Sequence, residues 1–453
     1  MLLVPSFVQL LQQTFGSVMT KPTFASFLTI ASGWMMAPRR TVTGALLSSA
    51  AARPKHHSAY HRVFAAARWS MDAAGLAVLR LVLVTVASAA ASGEVFLVVD
   101  DTLCHKCGHR MFGLGMHYDA ALTSRRSSNA HQSIKSKGHC WVVLGVVVSF
   151  PWRPGHYYCL PVLFRLYLNN KAAARHRVAY RTRPELAVQM LRLLCQDAYP
   201  DRRFHLLVDS GYGGQNVLRA LPDNCQMTAR WLTNARLHEP APLRSPGTNG
   251  RPRVRGARLP SPLQMLDDSR TERLELNIYG HRRDRCRVAD CLACLYTVPQ
   301  RLLRVVAVEP LSAGGRPRPS MRQAFFSTDT TASAQQVLTW YAMRWSIEVA
   351  FHDAKQQLGF EQPQGWTRLA VLRSAPTLML LYDLIVLWFA AEGHRCCQLP
   401  LRPWYKSKPA ASFADMLTTL RCRSVETLLQ PPGTEPSRQN PLPLLIAALR
   451  AAA

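Results

Sequence analysis

Two short apolar runs constrain this chain more than any other feature. Val95-Phe96-Leu97-Val98-Val99 and Phe204-His205-Leu206-Leu207-Val208 are too short for ordinary helices, and each runs straight into carboxylates, Asp100-Asp101 in the first case and Asp209 in the second. A continuous apolar run marks a strand buried on both faces, and such strands belong to sheets covered by helices. Each run therefore predicts a buried strand that delivers acidic side chains at its C-terminal end.

Around these two runs the pattern predicts further strands at 139–150, 159–167 and 227–232. A helix is expected over about 184–197, with Leu186, Met190, Leu191 and Leu194 on one face, and the turn Ser210-Gly211-Tyr212-Gly213-Gly214 feeds a short helix. Three strands, a helix, a strand, a helix and a strand form the order of a ribonuclease-H-like α/β fold, an order that other α/β domains share. Residues 1–93 carry a helical period with breaks at Lys21-Pro22, Pro38-Arg39-Arg40 and Arg53-Pro54-Lys55. Their basic and aromatic residues, among them His57, Tyr60, His61, Arg62, Arg68 and Trp69, suit a helical DNA-binding domain, with the solvated basic face of an ordinary helical cap as the alternative.

The expected organisation is that helical domain at 1–93, the first part of the α/β catalytic core at 94–233, a mainly β insertion at 234–332, the rest of the core at 333–395 and a partly helical C-terminal tail at 396–453. Strands in the insertion are predicted at 273–279, 295–309 and 324–328. Its opening loop, rich in Pro, Gly and Arg, carries Arg251, Arg253 and Arg255, which either clamp a DNA backbone or belong to a solvated loop.

Charge narrows the partner. The 55 Lys and Arg outnumber 27 Asp and Glu for a net charge of +28, while 48% of residues are hydrophobic, which excludes a disordered basic tail. A polyanion is the natural partner, nucleic acid first and an anionic membrane second. The opening run 1–11 has no charged segment before it and reads as a cytosolic helix. The apolar stretches 73–91 and 375–391 contain Arg80 and Asp383 near their middles and read as buried core rather than membrane spans. Twelve cysteines without a secretory signal suggest reduced thiols. The clusters Cys104/Cys107 and Cys286/Cys291/Cys294 are too irregularly spaced to favour zinc.

The segment from Tyr341 to Lys355 lacks Gly and Pro, and its Tyr341, Arg344, Glu348 and Lys355 are spaced by three, four and seven residues. On one helix these fall along a single stripe offering a carboxylate, two cations and a phenol to the same neighbour, beside an apolar face of Ile347, Ala350, Phe351 and Ala354. Phosphodiester chemistry asks for such a set, because divalent cations need carboxylates and DNA phosphates need Arg and Lys. An ordinary Arg/Glu/Lys ladder on an amphipathic helix has the same look.

The pattern Tyr-x2-Arg-x3-Glu-x6-Lys at Tyr341, Arg344, Glu348 and Lys355 resembles the signature of bacterial insertion-sequence DDE transposases of the Tyr-Arg-Glu-Lys branch. The Asp100-Asp101-Thr102 and Leu207-Val208-Asp209 blocks, the Ala324 to Asp329 segment and the β insertion before the last acidic residue are similar to that family too. The resemblance implies a ribonuclease-H-like core in which the first aspartate, Asp209 and Glu348 are catalytic and bind two Mg²⁺ ions, with Mn²⁺ as a substitute. It implies cleavage at terminal inverted repeats and strand transfer into target DNA, by a homodimer in the bacterial cytoplasm at the nucleoid. Tyr341, Arg344 and Lys355 then hold phosphates, and Lys106 keeps basic character near DNA. Either Asp100 or Asp101 can be the first aspartate, since neighbours on a strand point to opposite faces; Asp100 is preferred, with Asp101 retained as a metal candidate. Trp231 either stacks on an extruded base or is core. A catalytically inactive DNA-binding derivative is the alternative function.

Overall fold

The computed structural model describes residues 3–49, 55–86, 93–108, 110–126, 134–244, 250–268, 271–278, 282–399 and 408–429. Five helices lead: α1 (Pro5–Leu11), α2 (Lys21–Met36), α3 (Val42–Ser48), α4 (His57–Ala65) and α5 (Met71–Val86). Thr41 caps α3 by accepting from the Gly44 amide, satisfying one of the donors a helix start leaves free. The apolar sides of these helices, including Phe7, Phe27, Trp34, Phe64 and Leu79, bury into the same core as the sheet that follows.

That sheet has twelve strands: β1 (Glu94–His105), β2 (Gly115–Tyr118), β3 (Lys135–Ser149), β4 (Tyr157–Tyr167), β5 (Arg203–Val208), β6 (Cys225–Trp231), β7 (Leu237–His238), β8 (Arg258–Leu259), β9 (Glu272–Ile278), β10 (Arg282–Leu295), β11 (Val298–Pro310) and β12 (Gln323–Ser327). Helix α6 (Arg183–Leu191) crosses between β4 and β5, opened by a capping box of Thr182 and Glu185. After the sheet come α7 (Ala334–Met343), α8 (Ser346–Leu358), α9 (Arg368–Trp388) and α10 (Phe413–Leu429). The fold is therefore mixed α/β around one large mixed sheet.

Strands β4-β3-β1-β5-β6 lie in that order, with β1, β5 and β6 parallel and β3 and β4 antiparallel to their neighbours. Strand β12 pairs antiparallel with β6, and β11 and β10 continue outward from it. The outer strands carry a second small core of Leu276, Val288, Val306, Val308 and Phe325, closed by Val337 and Leu338 of α7.

Several expectations need correction. The first apolar run does not stop at its aspartates: β1 continues to His105. Its parallel pairing with β5 ends at Val99↔Val208, but β3 keeps it extended through Asp100↔Val143 to His105↔Gly138. Helix α6 ends at Leu191 and passes into a π-helical turn, Arg192–Ala198. The expected strand at 295–309 is the second arm of a hairpin whose first arm, β10, carries Cys286, Cys291 and Cys294. The Tyr341–Lys355 helix is broken: α7 ends at Met343 and α8 starts at Ser346. Across the junction the amides of Arg344, Trp345, Ile347 and Glu348 bond to carbonyls three residues back. This tighter 3₁₀ winding shifts Tyr341 relative to Glu348. Helix α8 stops at Gly359, whose φ of 60° favours glycine. The breaks expected at Arg53 and Pro54, the strand end at Tyr279 and the tail residues Trp404, Tyr405 and Lys406 lie outside the described residues.

Helix α9 is the spine of the packing. The stretch Arg368–Cys396 is long and apolar enough to cross a membrane, but 89% of its apolar window is buried inside the protein. Its Arg373 donates to the carbonyls of Ala67, at 2.7 Å, and Trp69, at 2.6 Å, so the segment after α4 is pinned to the core. Helix α5 lies against β4 so closely that a Cβ on Gly75 would sit 1.8 Å from the Val162 carbonyl oxygen. Gly75→Ala should therefore destabilise the protein by about 1–3 kcal/mol in urea unfolding, although alanine is the better helix former. An unchanged midpoint would mean that α5 does not dock this tightly.

Candidate active site

Asp100 sits on β1 one residue past the point where the β1–β5 ladder ends, and Asp209 follows directly after β5. Parallel register thus puts Asp100 and Asp209 at neighbouring positions where the two strands part. Glu348 arrives from the first turn of α8, whose Ile347, Ala350, Phe351 and Ala354 are buried against the sheet. Three elements far apart in sequence converge here.

Arg344 ties them together. At the α7–α8 junction, with only 8% of its side chain exposed, it donates Nη1 to Asp100 Oδ2 at 2.9 Å and Nη2 to Glu348 Oε1 at 2.5 Å. Its guanidinium lies 5.6 Å from the centre of the Tyr341 ring, and the Tyr341 hydroxyl donates a long 3.4 Å hydrogen bond to Asp209 Oδ1. Burial works against the Arg344 charge, but Tyr341, Asp100 and Glu348 outweigh it and raise its pKa. At Asp100 the balance tips the other way. Burial is the largest influence, Arg344 opposes it, Asp101 and Glu348 add repulsion, and the carboxyl is pushed up to about 7. Burial likewise pushes the Tyr341 phenol up to about 12, so it stays a donor.

Asp101 faces the opposite side of β1, as alternation along a strand requires. There it accepts from the Tyr212 hydroxyl at 2.8 Å and pairs with Arg183 at 3.3 Å. Asp100 is the member of the pair that meets Glu348's partner. Lys355 reaches β1 as well, donating to the Leu103 carbonyl at 2.7 Å with Glu361 4.0 Å away. Lys106 differs from its expected place: it is buried, its ammonium held by the carbonyls of Glu361 and Pro363, and it clamps the 361–363 loop instead of facing solvent.

The other candidates lie on the insertion side. Trp231 ends β6 half-buried and edge-on to Phe326, 5.5 Å between centres, while its neighbour Arg230 is close enough to act on the Tyr341 phenol. Arg251 and Arg253 are exposed, whereas Arg255 stacks 3.7 Å over the Tyr296 ring and donates to its carbonyl. None of these three is bonded to the carboxylate group. Sequence reasoning missed Arg183, Glu361 and Trp345, the last 48% exposed at the junction beside Glu348. The first two carry no motif, and Trp345 was hidden by reading the junction as unbroken helix.

The donor set suits a hard divalent cation: three carboxylates, oxygen only. Among the described residues, no three acidic, histidine or cysteine side chains lie close enough to hold an ion as arranged. The Arg344 guanidinium lies between Asp100 and Glu348 and pairs with both. The chemistry fits, and the remaining spacing is that of Arg344.

Beyond the carboxylates, β1 is anchored by His105, whose Nε2 lies 2.6 Å from Asp119 Oδ2. Burial alone would raise the Asp119 carboxyl, but hydrogen bonds from His105, the Leu122 amide and Ser136 hold it down at about 2. A carboxyl depressed in the fold contributes stability above its unfolded pKa and loses it as pH falls toward the folded value. Wild type should give up this contribution between about pH 4 and 2. Asp119→Asn should lack it already at pH 7, seen as a lower melting temperature there and a shallower acid dependence.

A family model described as DDE superfamily endonuclease matches residues 14–284, which include Asp100 and Asp209. No curated protein matches the chain. The matched span is more than half of the 453 residues, and with an aspartate pair set by strand register it makes the chain a member of the DDE superfamily endonuclease family.

Proposed function

We propose that the protein is a DNA transposase of the Tyr-Arg-Glu-Lys branch, encoded by a bacterial insertion sequence, that cleaves at its element's terminal inverted repeats and joins the freed ends to target DNA. The observation that carries this is the convergence of Asp100, Asp209 and Glu348 on the Arg344–Tyr341 pair. The strand order β4-β3-β1-β5-β6, with three parallel strands flanked by an antiparallel pair, supports a ribonuclease-H-like core interrupted by the insertion at 234–332.

In this reading Asp100, Asp209 and Glu348 hold divalent metal, Mg²⁺ or Mn²⁺, which when bound supplies activation of the attacking oxygen and stabilisation of the leaving one. Arg344 passes from the carboxylates to a DNA phosphate, and its five donors in a planar fork suit that exchange. Tyr341 positions Asp209, and Lys355 lies against β1 three residues beyond Asp100, where a phosphate can take its remaining donors. Asp101 stays with Arg183 and Tyr212 as support for the strand. Exposed Arg251 and Arg253 offer backbone contacts on the insertion. The working form is a homodimer on two element ends, in the cytoplasm at the nucleoid.

The test is cleavage of duplexes carrying the inverted repeats that flank the reading frame. Asp209→Asn and Glu348→Gln should each lower nicking and strand transfer by at least about 100-fold while duplex affinity holds. Undiminished strand transfer in both would refute the assignment. A wild-type chain that binds these ends and never nicks them would favour the inactive DNA-binding derivative.

A further inference from the structure

A cleft of about 650 Å³ opens between the N-terminal helices and the loop that leads from α8 to α9. Arg39, Arg40, His57 and His61 line one side, and Trp366 and Thr367 line the other. Among the described residues, none that lines it is acidic. Volume in this range is what a nucleotide-sized ligand occupies.

Arg40 is the telling residue. It is 7% exposed, and its Nε has no hydrogen-bond partner. Among the described residues its side chain makes one bond, from Nη1 to the Pro38 carbonyl at 3.3 Å. No carboxylate pairs with it among the described residues, and the charge that acts on it is another guanidinium, Arg421. Burial and that like charge draw its pKa down to about 10, so it is still cationic at neutral pH. A buried cation with free donors and no counter-charge is costly, and an anion in the cleft would remove the cost.

Two helices add to the same field. The first turns of α4 and α9 border the cleft, and neither contains an acidic residue. Their positive ends therefore stand uncompensated beside Arg40. At the mouth, Trp366 is 65% exposed and held by its carbonyl, which accepts from the Phe112 amide at 3.0 Å. An exposed indole next to phosphate-binding groups gives a base a surface to stack on.

We propose that this cleft binds one nucleotide of a DNA strand, its phosphate on Arg40 and its base against Trp366. The source of the nucleotide rests on the reading of the chain as a DNA-acting enzyme. The loop that forms the cleft wall is the one clamped by Lys106, and its Glu361 lies 4.0 Å from Lys355, so a strand held here continues toward the carboxylates.

The experiment uses the full chain in chelator, so that nothing depends on cleavage. The probes are a fluorescent single-stranded tetranucleotide, adenosine monophosphate and inorganic phosphate. Wild type should bind the tetranucleotide, and its melting temperature should rise with phosphate. Arg40→Met should lose at least tenfold in tetranucleotide affinity and show no rise with phosphate. In phosphate-free buffer it should melt no lower than wild type, because it removes an uncompensated charge. Trp366→Ala should weaken the tetranucleotide while keeping the phosphate response. Equal affinity and an equal phosphate response in wild type and Arg40→Met would overturn the proposal. Should Arg40→Met fail to fold, unchanged tetranucleotide affinity in both Trp366→Ala and Arg39→Ala, two exposed positions, would overturn it instead. Adenosine monophosphate binding as tightly as the tetranucleotide would overturn the DNA strand as the source. Arg40-dependent binding by a chain that cleaves no DNA would refute the transposase reading and leave the cleft standing.

Discussion

Arg344 is the interaction on which the site depends. One guanidinium, almost fully buried, answers carboxylates from a strand and a helix that lie far apart in sequence. Without it, Asp100 and Glu348 would be two anions facing each other in a poorly solvated space, and one of them would take up a proton. Asp100 is already close to that limit, with a carboxyl pushed up to about 7. Arg344, for its part, leaves its Nε–H without a partner. It is thus a strong but incompletely satisfied ligand to its own protein, which is the condition under which a side chain can change partners at low cost.

The winding of the α7–α8 junction follows from this role. A continuous α-helix would keep Tyr341, Arg344 and Glu348 on one stripe, but the site needs Tyr341 turned toward Asp209 while Arg344 reaches both Asp100 and Glu348. The 3₁₀ step at Arg344-Trp345 provides that turn and leaves Trp345 exposed. Strand β1 shows a comparable division of labour. Its pleat separates adjacent aspartates, one toward Arg344 and one toward Arg183 and Tyr212, so the cationic charge on both faces lets two neighbouring carboxylates coexist.

The carboxylates themselves were legible in the sequence because each ended a short apolar run or sat at helical spacing from an arginine. Register did the rest: Val99↔Val208 sets Asp100 beside Asp209, and no composition argument supplies that pairing. Which of Asp100 and Asp101 faces Arg344 depends on the pleat phase, which neighbouring residues do not encode. Strand β10 was missed because charged residues, Arg282 to Arg287, interrupt its apolar alternation; pairing with β9 and β11 overrides its composition. Lys106 was misplaced for a related reason. A lysine in a basic loop reads as exposed, and only the carbonyls of Glu361 and Pro363, some 250 residues away in the chain, hold it inside.

The pinning of the early helices by Arg373 has a temporal side. The carbonyls it binds belong to Ala67 and Trp69, and the Val4 amide is completed by Ser424 Oγ from α10. The first helices therefore cannot finish packing until the ribosome has delivered α9 and α10. At roughly 5–20 residues per second, they wait some tens of seconds with apolar faces such as Phe27 and Trp34 uncovered. The order of synthesis therefore makes the first helices to be made among the last to be fully covered.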